Sequence, residues 1–237
     1  MRINKLLADY GVGSRRKIDQ LITEGKVEVN GIRASLGMMI NPEADKIVVE
    51  GKSVNLKQKP EYEYWKIYKP VGMVSTTSDP EGRPTVLSLL NKTASTARVY
   101  PVGRLDIESE GLMLLTSDGQ LAQKLTHPKY QTPKEYLVWA NGSLSNRDLS
   151  KLQKGVKLSD GVTAPARVEL IFREEDRVKV SITLTEGRNR QIRRMMAKVG
   201  LMVTRLKRVK LGAVELGDMY EGEVRKITIN EISQLSK

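Results

Sequence analysis

Residues 102–119 read VGRLDIESEGLMLLTSDG. Asp106 stands there close to Arg104 and between the apolar Leu105 and Ile107, ahead of an apolar run over 112–115. A carboxylate so placed can be held ionised by a nearby cation while its flanks shield it from water, and can then serve as nucleophile or base. Taken alone, an aspartate ahead of a strand is more often a turn-former or cap, so Asp106 gains weight only in company. Other chemistries are short of parts. The chain has no Cys and one histidine, His127, which argues against thiolate catalysis, Cys- or multi-His-ligated metals and most Ser-His-Asp schemes. His127 precedes Pro128 in an expected loop and reads as structural rather than catalytic. Neither a GxxxxGK[ST] loop nor a strand-linked GxGxxG occurs, so nucleotide hydrolysis and dinucleotide-dependent redox chemistry lose support.

The charge points to a polyanion. Over 237 residues the formal net charge is +12 and the pI about 9.8, and because basic side chains that displace counterions from phosphates gain affinity, nucleic acid is the first candidate and an anionic membrane the second. Residues 187–210 carry nine cations and no acid: Arg188, Arg190, Arg193, Arg194, Lys198, Arg205, Lys207, Arg208 and Lys210. Like charges this dense repel one another unless an anion lies against them, so the segment is expected to meet phosphate. A second group, Arg15, Arg16 and Lys17 with Lys26 further on, can grip a phosphate where the bare N–H groups of a helix start add to the cations. No apolar run approaches the length of a spanning helix and the N-terminus lacks a signal-peptide core. With no Cys, a cytoplasmic location is expected.

Several elements that must carry these residues can be read locally. Apolar residues at helical spacing predict helices over 3–10 and 15–24, the second capped by Ser14 and stopped by Gly25. Val27 and Val29 alternate into a strand that ends at Asn30-Gly31, a strong hairpin signal. A strand over 46–50 follows, then a polar stretch with Pro60, and we place a linker at 57–61. Beyond it, extended segments are predicted at 64–68, 74–76, 112–116, 134–140 and 178–184. Helices are predicted at 144–152 and 189–199. Gly111 and Gly187 read as backbone devices where the chain turns tightly or approaches RNA. There is no internal repeat.

The first fifty residues, with the run RINKLLADYGVGSRRKIDQLITEGKVEVNG, resemble the S4-type RNA-binding module. The run GRLDIESEGLMLLTSDG resembles the signature of the RsuA/RluB-type ribosomal RNA pseudouridine synthases. Three further motifs follow in that family's order: Tyr68-Lys69-Pro70-Val71-Gly72, Lys134-Glu135-Tyr136 and the run from Glu186 to Met195. Together they cover nearly the whole chain. The chain departs from many relatives in having Tyr68 before the Lys-Pro pair. The segment Thr163-Ala164-Pro165-Ala166 and the Arg-rich run look closer to the B-type enzymes that act on the large ribosomal subunit.

The resemblance implies an α+β protein with an S4-like RNA-binding domain over 1–57. A catalytic domain follows over 62–237, with a mixed, mostly antiparallel sheet, flanking helices and a basic cleft. It implies that a uridine in ribosomal RNA, more specifically in the large subunit, is isomerised to pseudouridine. Asp106 is then the catalytic carboxylate, Arg193 the cation paired with it and Tyr136 the ring that stacks on the extruded base. Arg104, Arg188, Arg190 and Arg194 are expected to bind phosphate, and Lys69 joins Arg15, Arg16, Lys17 and Lys26 as an RNA contact. Breaking a C–N bond and reattaching the base through carbon changes no oxidation state, so neither cofactor nor metal is expected. The partner is ribosomal RNA or a pre-ribosomal particle, and the protein is expected to be a monomer. The rival reading is a non-enzymatic S4-type RNA-binding or ribosome-assembly protein, which would leave Asp106 without a role. Removing residues 1–57 is expected to weaken binding to ribosomal RNA in a filter or gel-shift assay while the remainder keeps a cooperative melting transition. A truncated protein that is unfolded, or that binds RNA as tightly as the full chain, would contradict this division of labour.

Overall fold

The structure, a computed structural model, describes residues 1–56, 61–92, 95 and 97–236. Most of the expected linker, residues 57–60, lies outside them. The chain forms two compact units. One comprises Met1–Glu63 with Ser95–Val99 and Ser117–Gly119, and the other Tyr64–Ala94, Tyr100–Thr116 and Gln120–Lys237.

The N-terminal unit opens with helices α1 (Ile3–Asp9) and α2 (Arg15–Thr23). Their apolar faces, Ile3, Leu6 and Leu7 against Ile18, Leu21 and Ile22, join one buried cluster. Ser14 caps α2 by accepting from the Lys17 N–H at 3.1 Å, which satisfies a donor that the helix start leaves bare. Strands β1 (Val27–Val29), β2 (Ile32–Arg33), β3 (Ile47–Val49) and β4 (Lys52–Ser53) form an antiparallel sheet in the order β2-β1-β3-β4. Asn30 and Gly31 join β1 to β2 with φ of 54° and 81°, the two left-handed residues that this tight hairpin requires.

The larger unit contains β5 (Tyr64–Lys69), β6 (Tyr100–Pro101), β7 (Glu110–Thr116), α3 (Gly119–Thr126), β8 (Lys134–Asn141), α4 (Asn146–Lys154), β9 (Lys157–Leu158) and β10 (Gly161–Val162). There follow β11 (Arg167–Arg173), β12 (Arg177–Leu184), α5 (Gln191–Lys198), β13 (Met202–Leu211), β14 (Val214–Glu215), β15 (Val224–Lys226) and α6 (Ile229–Ser236). Nine of these strands make a sheet whose main path is β11-β12-β8-β13-β7-β5-β15. All its pairings are antiparallel except β13 with β7. The fold is therefore the mixed, mostly antiparallel α+β arrangement that the resemblance implied. One core cluster lies among β8, β12, β13, α4 and α5, and a second joins residues of β7, α3 and α6.

The second cluster takes Leu112 and Leu114 from β7, whose seven residues are all buried. Leu112, Met113, Leu114 and Leu115 are each no more than 1% exposed, and burial of such a side chain is worth roughly 2 kcal/mol. Its partner across the parallel pairing comes unusually close. Arg208 is in register with Gly111, and a Cβ at Gly111, where φ is 104°, would sit 2.2 Å from the Arg208 carbonyl oxygen. Gly187 has no such constraint, since a Cβ there meets nothing within 4 Å.

Some local expectations shift. The segment at 74–76 is not a strand; Val74 makes one isolated bridge to Thr85, and Ser75 is turned toward Leu105 instead. The helix expected over 144–152 begins at Asn146, capped by Ser145. The one expected over 189–199 begins at Gln191, because Arg190 is left-handed at φ 47°. Helices α3 and α6 and strands β11 and β13 were not read from sequence.

Lys69, the last residue of β5, is 0% exposed. Its amine donates to the Ser109 carbonyl at 2.5 Å and to the Pro70 carbonyl at 2.9 Å. Lys69 is thus an internal strap, and the expectation of an RNA contact is corrected: no phosphate can reach it. Burial pushes its amine down to about 8, against the upward pull of Asp106 and Glu110.

Two outcomes follow from these contacts. Gly111→Ala is expected to lower the unfolding free energy by about 3 kcal/mol or more, because both the backbone conformation and the strand spacing must give; a loss below about 1 kcal/mol in urea titration would show that the spacing is soft. The second concerns Lys69, whose folded-state pKa of about 8 lies below the ordinary 10.5. Between those values the unfolded chain holds more protons, so the unfavourable contribution of the buried ammonium is complete below pH 8 and is relieved toward pH 10.5. The stability of wild type relative to Lys69→Met should therefore rise across that window. A difference that stays flat with pH would contradict the buried cation.

Candidate active site

The loop between β6 and β7 carries Asp106 and is pinned from the β5 side. The Ser75 hydroxyl donates to the Leu105 carbonyl at 2.7 Å and accepts from the Leu105 N–H at 3.0 Å. The Gly72 N–H donates to the Ile107 carbonyl at 2.8 Å, and the Ser109 N–H closes a turn onto the Asp106 carbonyl at 2.9 Å. With the Lys69 amine on the Ser109 carbonyl, the backbone on both sides of Asp106 is fixed. The side chain remains half-buried.

Asp106 lines a cleft of about 290 Å³ together with Tyr136, Arg104, Lys134, Arg208 and residues of the 184–192 loop. Tyr136 comes from β8, half-buried, and stands opposite Arg208 on β13 and Ile182 on β12. Two residues thirty positions apart are thus brought to one cavity because β7 and β8 both pair with β13.

Arg193 does not make the expected pair with Asp106. Its Nη2 donates to the Glu108 carbonyl at 3.0 Å, Nη1 donates to the Val203 carbonyl at 3.3 Å, and Nε lies 3.6 Å from the Glu108 carboxylate. The guanidinium of α5 therefore holds the Asp106 loop from the other side, two residues along. The same Glu108 carboxylate takes Arg190 at 2.8 Å, and that hydrogen bond holds the Glu108 carboxyl below its usual range.

The basic run is far less free than its sequence suggests. Arg188 donates to Glu186 at 3.1 Å and to the carbonyls of Asp160, Gly161 and Val162 at 3.1, 3.3 and 2.6 Å, tying down the β9–β10 hairpin. Arg194 forks onto Asp160 at 3.0 and 2.8 Å, beside a separate pocket lined by Lys157, Ser159 and Lys198. Arg205 pairs with Glu110 and Lys210 with Glu215, both at 2.6 Å. Acids outside residues 187–210, among them Glu108, Glu110 and Asp160 from far along the chain, supply the compensation that the run lacks, and the guanidinium groups of Arg188 and Arg194, expected to bind phosphate, are engaged within the protein. Lys26 is likewise paired, with Glu24 at 2.7 Å. Arg104, Arg15, Arg16 and Lys17 are exposed and have no ion pair among the described residues. Sequence reasoning missed Glu108, whose partners lie more than eighty residues away, and the buried position of Arg208. Bulges between Val203 and Arg205 and between Arg208 and Lys210 break the alternation that would have marked β13 as a strand.

Residues 63–198 match the family model described as RNA pseudouridylate synthase, and residues 1–47 match the S4 domain. An RNA pseudouridine synthase of Aquifex aeolicus is 38% identical over 239 residues, covering 100% of this chain and 94% of that protein. The ribosomal large subunit pseudouridine synthase B of Bacillus subtilis is 39% identical over 237 residues, covering 99% and 95%. A crystal structure of a pseudouridylate synthase superposes with a TM-score of 0.71 at 30% identity, covering 99% of each chain. The match of sequence and fold along the whole chain shows that this protein belongs to the RNA pseudouridine synthase family and carries an S4 domain ahead of its catalytic region.

Proposed function

We propose that this protein converts a uridine of large-subunit ribosomal RNA to pseudouridine, with Asp106 as the catalytic carboxylate and Tyr136 as the face against which the extruded base lies. The observation that carries this reading is the convergence of Asp106 and Tyr136 on one cleft. Relatives named ribosomal large subunit pseudouridine synthase B, in Bacillus subtilis and in Pseudomonas aeruginosa at 40% identity, support the choice of RNA. No helix among the described residues is long and apolar enough to cross a membrane, and we read the protein as acting in the cytoplasm on ribosomal RNA or a pre-ribosomal particle.

The target base must leave its stack for a carboxylate to reach it, and an aromatic face with cations around it offsets that cost. Arg104, exposed on the cleft wall, is the phosphate contact best supported there. In the N-terminal unit Arg15, Arg16 and Lys17 at the start of α2 take that role. Arg190 reaches RNA only by leaving Glu108. Arg193 acts as a positioning residue: its hydrogen bond to the Glu108 carbonyl and the bonds of Ser75 and Gly72 hold the loop so that Asp106 meets the base or ribose in one orientation.

Asp106→Asn tests the assignment. The amide is nearly isosteric with the carboxylate but lacks its charge and basicity, so pseudouridine formation in large-subunit ribosomal RNA should fall below detection while RNA affinity and melting temperature stay near wild type. A folded, RNA-binding Asn variant that still turns over at a near wild-type rate would remove Asp106 from the mechanism. A wild-type protein that modifies small-subunit RNA and leaves large-subunit RNA untouched would overturn the substrate but not the residue.

A further inference from the structure

Arg208 is 2% exposed, as deeply buried as a core leucine, yet it lines the same cleft as Asp106 and Tyr136. Its Nε donates to the Leu112 carbonyl at 2.7 Å. Its Nη2 is buried with no hydrogen-bond partner, and no carboxylate pairs with the group among the described residues. The bond to Leu112 explains how the side chain is aimed but not why it is charged, since a neutral donor would serve as well. A buried cation with idle N–H groups is unfavourable unless something electron-rich completes it. The surroundings sharpen the point: the amines of Lys69 and Lys134 lie near enough for Arg208 to disfavour their charged forms. The protein thus keeps a repelling cation at the wall of its cleft.

Arg208 and Tyr136 are direct cross-strand neighbours on β13 and β8, a relation that places two side chains on one face within contact distance. A base lying on the Tyr136 ring presents its edge to the neighbouring strand. We propose that Arg208 is a catalytic residue that donates a hydrogen bond to a carbonyl oxygen of the target uracil and holds the negative charge the base acquires while detached from the ribose. The inference rests on the proposed function, in which Asp106 and Tyr136 receive the uridine.

The chemistry balances without a co-reactant. When the N1–C1′ bond breaks, its electron pair stays on the base, spread over N1 and the carbonyl oxygens O2 and O4. Reattachment forms the C5–C1′ bond, the proton on C5 leaves, and N1 takes up a proton. A guanidinium donor to O2 or O4 strengthens its bond as that charge develops, which lowers the barrier more than it tightens substrate binding. This holds whether Asp106 acts first on the base or on the sugar.

The test is a single-turnover comparison of the full-length protein on ribosomal RNA fragments carrying uridine, 2-thiouridine or 4-thiouridine at the mapped target, a thiocarbonyl sulfur being the weaker acceptor. Arg208→Gln is expected to slow conversion of the uridine fragment about 100-fold with little change in RNA affinity. Arg208→Lys, which keeps the charge but not the planar fork, should fall between. One of the two thio fragments should slow wild type about tenfold, yet slow the Gln variant no further, because the donor that sensed the oxygen is gone. A purely structural role predicts the same thio effect in both proteins, and that result overturns the inference. So does a Gln variant within about threefold of wild type. Should the Gln variant fail to fold, Arg208→Lys carries the same comparison, and a wild type indifferent to both thio substitutions overturns the inference with no variant at all. Wild type that converts no ribosomal uridine overturns the function reading and this inference together, whereas active wild type with uncoupled thio effects overturns this inference alone.

Discussion

Strands β7 and β13 meet at Gly111 and Arg208 with no room for a side chain on the glycine, and this close approach organises the catalytic unit. It is the one parallel pairing on the main path of the large sheet. Because β13 also pairs with β8, the same contact sets Tyr136 beside Arg208 and brings the loop that enters β7 to the mouth of the cleft. The geometry is held by burial. Four fully buried side chains in β7 contribute roughly 2 kcal/mol each, whereas an exposed pair such as Arg190 with Glu108 is worth ~0–1 kcal/mol. The cleft is therefore a property of the sheet, and the surface ion pairs trim it.

The loop bearing Asp106 shows how an irregular segment is made rigid. Its backbone groups are bonded by Ser75, Gly72, Lys69 and Arg193, while the Asp106 side chain is left half-buried at the cleft. Catalytic side chains need such placement, since orientation held by the fold need not be paid for at each turnover. Lys69 is the most committed of these supports, for its amine sits in a site that disfavours its own charge and still spans two carbonyls.

The formal charge of +12 overstates the surface open to RNA. In the run from Arg188 to Lys210 six cations pair with acids that lie outside the run, namely Arg188, Arg190, Arg193, Arg194, Arg205 and Lys210, and Arg208 is buried. Counterion release depends on cations that can exchange partners, and among the described residues Arg104 and the cations at the start of α2 are exposed with no ion pair to leave. A charge count along the chain measures neighbours in sequence, while ion pairs form between neighbours in space.

How legible the protein was follows from the range of each interaction. The helix stripes of α1 and α2, the Ser14 cap and the Asn30-Gly31 hairpin are written in adjacent residues, because capping, helical period and turn conformation are local. The family signature around Asp106 was equally local, and its motifs were enough to forecast the α+β class and the reaction. What sequence left hidden was long-range: Glu108 as the anchor of Arg190 and Arg193, the burial of Lys69, the engagement of Arg188 and Arg194, and the place of Arg208. The bulges in β13 erase its alternation, and a cation written among eight others gives no sign of being inside. By itself the sequence determined the local elements and the chemistry available to the chain. Only the tertiary structure decided which charges are buried, which are paired and which stay open, because burial and pairing depend on strands that meet nearly a hundred residues apart.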